Sequence, residues 1–207
     1  MTPVLHLVDD DLGFRSALAR LLRTLGHTVQ EYDNAKEFLA TPAPAAGCLL
    51  LDVHMPELSG LELQAHLATL DNCLPVIFIT GHGDIPMSVR AIKAGAEDFL
   101  TKPVSRVVLS EAIERALARG AQAMADAARR QAREQQLGRL SSREREVALL
   151  LAKGQLNKQV AAALGTTERT IKAHRSRIME KLEIRSAVEL ARLLDQAAPA
   201  VKRDTSA

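Results

Sequence analysis

Five times in the first hundred residues, a short strand-like run gives way to a stretch with helical spacing. The runs are VLHLV (4–8), HTVQEY (27–32), CLLLD (48–52), PVIFIT (75–80) and EDFLT (97–101). Between the first two, Phe14, Leu18, Leu21, Leu22 and Leu25 recur at helical spacing up to Gly26. KEFLA (36–40), GLELQAHLATL (60–70) and IPMSVRAIKAG (85–95) supply the next helices, with a loop at Pro42 and Pro44. Strands that are apolar on both faces belong in a parallel sheet covered by helices on both sides. Chemistry in such a sheet gathers at the carboxyl ends of its strands.

Those ends carry an unusual set of residues. The first strand runs into Asp9, Asp10 and Asp11, the third into Asp52, the fourth ends at Thr80 and the fifth stops just before Lys102-Pro103. A carboxylate at the tip of a buried strand is costly unless it has partners or a task. If strands one, three, four and five are adjacent, Asp9, Asp10, Asp52, Thr80 and Lys102 converge at one edge. Three carboxylates in one pocket raise each other's pKa. A hard divalent cation relieves that repulsion, and two carboxylates, a backbone carbonyl and waters suit Mg²⁺. A metal, a lysine and a hydroxyl around a central carboxylate make a phosphoryl site with Asp52 as the nucleophile. A single acid at a strand end would more often be a turn or cap residue; the whole set, each member at a strand end, argues for chemistry.

Charge divides the chain. Residues 1–104 hold 7 Lys and Arg against 13 Asp and Glu, whereas residues 139–207 hold 14 against 8. An acidic front and a basic back suggest two domains, the second facing nucleic acid. With no Trp and 2% aromatics, stacking on bases is not the expected mode. Cys48 and Cys73 sit in apolar stretches as small hydrophobes, and His6, His27 and His66 have no zinc spacing. His82 reads as a solvated loop residue. No apolar run approaches the roughly 18 residues of a membrane span, so a cytoplasmic protein with no membrane partner is expected.

From 104 to 138 the chain reads as one helix whose apolar face thins after Gly120, a solvated linker. Beyond it every element is helical. Ser141 with Glu144 forms a capping-box pattern, NKQVAAALG (157–165) ends at Gly165, Thr167 caps TERTIKAHRSRIMEKL, and Ser186 with Glu189 opens AVELARLLDQ. Two short helices joined by a glycine turn have helix-turn-helix spacing. On the second, Arg169, Lys172, Arg175, Ser176 and Arg177 fall on the exposed side, while Ile171, Ile178 and Leu182 face the core. The tail after Ala198 is expected to be disordered.

The motifs VDDD (8–11), LLLDVHMPELSG (49–60), FITGHGD (78–84) and DFLTKP (98–103) resemble the receiver domain of two-component response regulators. The resemblance covers residues 1 to about 120. It implies a doubly wound, flavodoxin-like sheet of five parallel strands and phosphorylation of Asp52 by a sensor histidine kinase. Mg²⁺ would be held by Asp10, Asp52 and the main-chain carbonyl of His54, with Asp9 acting through water. Thr80 and Phe99 would form a switch pair, Lys102 would contact the phosphoryl group, and the bond to Pro103 would be cis. The ring of His54 would influence the lifetime of the acyl phosphate.

The segment LSSREREVALLLAKGQLNKQVAAALGTTERTIKAHRSRIMEKLEIRS looks like the LuxR-type DNA-binding domain of the FixJ/NarL class. By that likeness Lys172, Ala173 and Ser176 face bases, although Ser176 is shorter than the residue some relatives carry. Lys158, Thr167, Arg169, Thr170, Arg175 and Arg177 contact phosphates. Val188, Leu190, Ala191 and Leu194 form a dimer surface, and dimers read half-sites about one helical turn apart. The domains expected are a receiver at 1–120, a helical linker at 121–138, a small all-α DNA-binding domain at 139–197 and a tail at 198–207. The function expected is transcription control on double-stranded DNA, with homodimerisation on phosphorylation and RNA polymerase as a further partner.

Two other functions are open. An aspartyl-phosphate hydrolase shares the nucleophile and metal, but it commonly uses an acid two residues after the nucleophile, where His54 stands. Catalysis here is therefore expected to be limited to the chain's own phosphotransfer and dephosphorylation. A DNA-binding regulator indifferent to phosphate is the other, and the complete pocket argues against it.

Overall fold

The computed structural model describes residues 2–41, 46–70, 74–81 and 83–197. The expectations for Pro42, Pro44, Cys73, His82 and the tail lie outside those residues. The chain forms two compact units, Met1–Ala125 and Asp126–Ala207.

In the first unit the elements alternate as the sequence pattern requires: β1 (Val4–Val8), α1 (Leu12–Thr24), β2 (Thr28–Tyr32), α2 (Ala35–Ala40), β3 (Gly47–Leu51), α3 (Gly60–Thr69), β4 (Val76–Thr80), α4 (Ile85–Lys93) and β5 (Asp98–Thr101), followed by the long α5 (Arg106–Gly138). All strand pairs are parallel, in the order β2-β1-β3-β4-β5. Every residue of β3 and β4 is buried, whereas edge strand β2 alternates exposed and covered positions. This is the difference between strands covered on both faces and a strand at a rim. One face packs Leu5, Leu7, Leu50, Ile77 and Ile79 against α1 and α5; the other packs Val8, Leu49, Leu51 and Phe78 against α2, α3 and α4. Each such aliphatic side chain contributes about 1.5–3 kcal/mol by leaving water. Cys48 lies within the first layer, where burial pushes its thiol up to about 12, leaving it a small hydrophobe.

The second unit holds the end of α5 with α6 (Ser142–Ala152), α7 (Asn157–Ala163), α8 (Glu168–Lys181) and α9 (Ala187–Ala197). Val147, Leu151, Val160, Ile171, Ile178, Leu182 and Leu190 form its core. The capping box at Ser141 and Glu144 is present with both bonds, and Thr167 caps α8 by accepting from the Thr170 N–H. Gly165 takes the left-handed φ of 62° between α7 and α8, a conformation glycine enters without Cβ strain.

Two expectations are corrected. The expectation of a solvated linker fails in its last turn, where Leu137 is buried in the helical core together with Leu140 beyond the helix. Leu190 was placed on a dimer surface; it is fully buried inside its own unit. On α9 the apolar residues Ala187, Leu190, Ala191, Leu193 and Leu194 share one face, which turns inward, while Glu189, Arg192, Asp195 and Gln196 share the exposed one with Val188 at its edge. No helix among the described residues is long and apolar enough to cross a membrane.

Candidate functional site

The strand order puts the C-terminal tips of β1, β3, β4 and β5 side by side. Single ladder bonds beyond the strand ends fix the backbones there. Asp9 N–H donates to the Tyr32 carbonyl at 3.3 Å, Asp52 N–H to Val8 at 2.9 Å and Lys102 N–H to Thr80 at 2.8 Å. Asp52 and Asp9 are both buried.

The ammonium of Lys102 sits between these two carboxylates, 2.7 Å from Asp9 Oδ2 and 3.3 Å from Asp52 Oδ1. Asp52 Oδ2 accepts from the His54 N–H at 2.8 Å and Asp9 Oδ1 from the Asp11 N–H at 2.9 Å. Burial raises the Asp9 pKa, with Lys102 pulling in the other direction. Burial alone would lower Lys102, but its hydrogen bond to Asp9 and the charge of Asp52 outweigh it, and the net shift is upward. At Asp9 the cost of burial outweighs the ion pair, which by itself would depress the acid. Asp9 is more deeply enclosed than the lysine it holds.

Thr80 is buried with its hydroxyl 3.4 Å from His54 Nδ1, while His54 itself is exposed. Phe99 is half-buried against Phe78, ring centroids 5.9 Å apart. The Lys102–Pro103 peptide is cis. At Gly60 a Cβ would lie 2.2 Å from the Asp52 carbonyl oxygen, so only glycine lets α3 start this close to the site.

Asp10 is exposed, and among the described residues no group of three or more His, Cys, Asp or Glu forms a ready-made metal cage. The donor set nevertheless fits magnesium. Oxygens of Asp9 and Asp52 already share one cation, and Mg²⁺ characteristically uses one or two carboxylates and keeps several waters.

Three contributors were missed in the sequence. Phe14 presents its ring to the Lys102 ammonium at 3.9 Å. The Arg15 guanidinium donates to the Asp9 carbonyl. Asp11 caps α1 through the N–H groups of Gly13 and Phe14, the latter bond chiefly lowering its pKa. Only Asp11 had a signal, an acid directly before a helical run; the other two depend on how α1 packs.

In the helical unit, Arg169, Thr170, Lys172, Ala173, Arg175, Ser176 and Arg177 are exposed along α8, with Thr167 at its cap and Lys158 on α7. Ile171, Ile178 and Leu182 are buried on the opposite side, as the period required. Val188 is exposed, and Ala191 and Leu194 border an open groove with Leu149 and Ala152 of α6.

Known proteins share this arrangement. Residues 5–114 match the response regulator receiver domain and residues 138–194 the bacterial regulatory proteins of the luxR family. The response regulator protein TodT of Pseudomonas putida is 43% identical over 194 residues, covering 93% of this chain and 86% of that one. The transcriptional regulatory protein FixJ of Rhizobium meliloti is 41% identical over 189 residues, covering 91% and 93%. The solved structure of the response regulator StyR superposes with a TM-score of 0.82 at 42% identity, covering 95% of this chain and all of that one. The chain belongs to the two-component response regulators of the FixJ/NarL class, transcription regulators that join a receiver domain to a LuxR-type DNA-binding domain.

Proposed function

We propose that Asp52 accepts a phosphoryl group from a phosphohistidine of a sensor histidine kinase and that the modified chain dimerises and binds specific double-stranded DNA. The observation that carries this reading is the Lys102 ammonium bridging Asp9 and Asp52, with a hydroxyl-bearing strand tip at Thr80 alongside. A carboxylate oxygen of Asp52 attacks phosphorus, the P–N bond to the kinase histidine breaks, and that histidine takes the bond's electron pair. Magnesium held by Asp10, Asp52 and the His54 carbonyl, with Asp9 through water, would neutralise charge on the phosphoryl oxygens. Lys102 binds a phosphoryl oxygen. Phosphorylation adds about −1.5 to −2 charge, and the Thr80 hydroxyl turns to donate to it. Phe99 then moves into the space vacated, remodelling α4 and β5. The bias expected is about 1–3 kcal/mol, the usual range of allosteric coupling.

The receiver spans 1–120, the linker 121–138 and the DNA-binding domain 139–197. Lys172, Ala173 and Ser176 face bases. Lys158, Thr167, Arg169, Thr170, Arg175 and Arg177 meet phosphates, so affinity falls steeply with salt. Val188, Ala191 and Leu194 form the pairing surface of α9. A DNA partner sets the cytoplasm as the place of action, with RNA polymerase recruited there. The chain is not a turnover enzyme, since His54 stands where a hydrolase would carry its second acid.

Gel-shift titration on a duplex selected by the chain from a random pool tests this, with wild type and Asp52→Asn, each with and without phosphodonor and Mg²⁺. Donor-dependent binding by wild type alone is expected. Equal binding by both proteins under all conditions identifies a phosphorylation-independent regulator instead.

A further inference from the structure

The C-terminal end of α8 is finished by Gln136 of the long helix α5 and by Arg139 just beyond it. An α-helix leaves its last four carbonyls without intrahelical partners; in α8 these belong to Met179, Glu180, Lys181 and Leu182. The first two are satisfied by the backbone in a Schellman motif: Ile184 N–H donates to Met179 at 3.0 Å and Glu183 N–H to Glu180 at 3.1 Å. The other two are satisfied from the last turn of α5 and the residue just beyond it. Arg139 donates to the Lys181 carbonyl at 3.3 Å, and Gln136 donates to that of Leu182.

Glu183 adds a further tie at the same helix end. It holds the left-handed position after the helix, φ 55°, where glycine is the usual residue. Its carboxylate meets Arg139 at 2.8 Å, an interaction that glycine would not make. Arg139 also brings a cation to the negative end of the α8 dipole. Leu137 and Leu140, on the same stretch, are buried in the helical core, and Arg145 donates to the Leu137 carbonyl at 3.1 Å. The end of the linker is therefore anchored while it holds α8.

We propose that Gln136 and Arg139 are positioning residues for DNA recognition, so that the DNA-binding unit begins within the linker helix. This rests on the reading of α8 as the DNA-contacting helix. Without the two side chains, the Lys181 and Leu182 carbonyls must find water, and the last turn of α8 frays. The exposed row of Arg169, Lys172, Ala173 and Ser176 then loses its fixed placement against base edges, while its charges still attract phosphate.

The test uses the full chain with phosphodonor and Mg²⁺. Two probes are titrated at equal salt: a duplex selected by wild type from a random pool, and an unrelated duplex of the same length. The variants are Gln136→Ala/Arg139→Ala, the conservative Arg139→Lys, and Gln135→Ala on the exposed side of the same helix. Amide hydrogen exchange at 179–184 is followed in each. The double variant is expected to lose about tenfold in preference for the selected duplex, equivalent to ~1.4 kcal/mol, to exchange faster at 179–184, and to keep its affinity for the unrelated duplex. Arg139→Lys is expected to recover most of the preference, and Gln135→Ala to match wild type. An unchanged preference in the double variant overturns the proposal, as does an equal loss on both duplexes, which marks a fold-stabilising role only. If wild type itself selects no sequence from the pool, the DNA-binding reading has failed and the proposal falls with it.

Discussion

At the scale of single residues, the proposed phosphoryl site is a balance between burial and charge. Asp9 and Asp52 are removed from water, and one lysine offsets both. The tightness of the surroundings makes glycine necessary at position 60. Gly60→Ala would push a methyl group to 2.2 Å from the Asp52 carbonyl oxygen and 3.0 Å from the Phe78 ring. A loss of about 1–3 kcal/mol is expected from such overpacking, read as a lower urea midpoint, together with slower phosphoryl uptake. His6 carries a second residue-scale prediction. It is buried with Nδ1 3.0 Å from the Tyr32 hydroxyl, its Nε2 has no hydrogen-bond partner, and burial lowers its pKa. The folded chain therefore favours neutral imidazole, while the unfolded chain takes up a proton below about pH 6.5. Stability contributed by neutral His6 is full above that pH and is lost as pH falls through it. Urea midpoints followed by Tyr32 fluorescence should decline between pH 7 and 5.5 in wild type, and His6→Gln should flatten that slope.

At the scale of elements, the helical unit relies on its caps. Glu144 closes the α6 capping box and pairs with Lys181 of α8 at 2.7 Å, and the hydrogen bond from Lys181, then that from Ser141, depresses its pKa to about 2. A depressed carboxylate stabilises above its unfolded value, near pH 4.5, and its contribution is lost as pH falls toward 2. Lys181 is partly exposed, so solvent screening reduces the effect to about 1–2 kcal/mol. Glu144→Gln should lower the helical unit's urea midpoint at pH 7 and leave acid sensitivity weaker between pH 4.5 and 2, measured by circular dichroism at 222 nm; the Tyr32 signal of the first unit should not move. Helix α7 shows the opposite case. Gln159 accepts from the Leu156 N–H at 2.8 Å, but exposed Leu156 has no side-chain oxygen to return the bond. Leu156→Ser should stabilise the helical unit by about 1 kcal/mol in the same measurement. Strands with continuous apolar runs were readable in the sequence: β1 occupies Val4–Val8 as expected, and the strand-end set converges because order β2-β1-β3-β4-β5 makes those tips neighbours. What the pattern concealed depends on packing between distant segments. Leu190 turns inward because the apolar face of α9 is used up within its own unit, Arg15 reaches the Asp9 carbonyl from α1, and Gln136 reaches the end of α8 from across 46 residues of chain.

At the scale of the whole molecule, the charge division follows function. The front, with 13 acids against 7 bases over residues 1–104, carries the carboxylate site; the back, with 14 bases against 8 acids, carries the exposed row of α8. The two are separate compact units on one chain, so a covalent event in the first becomes a regulatory signal only if it alters how the second meets DNA. Everything downstream depends on that event occurring at one side chain. The direct measurement is the intact mass of the full chain after incubation with a small-molecule phosphodonor and Mg²⁺. Wild type should gain one phosphoryl group and Asp52→Asn none. No adduct on wild type, or an equal adduct on Asp52→Asn, would contradict the account.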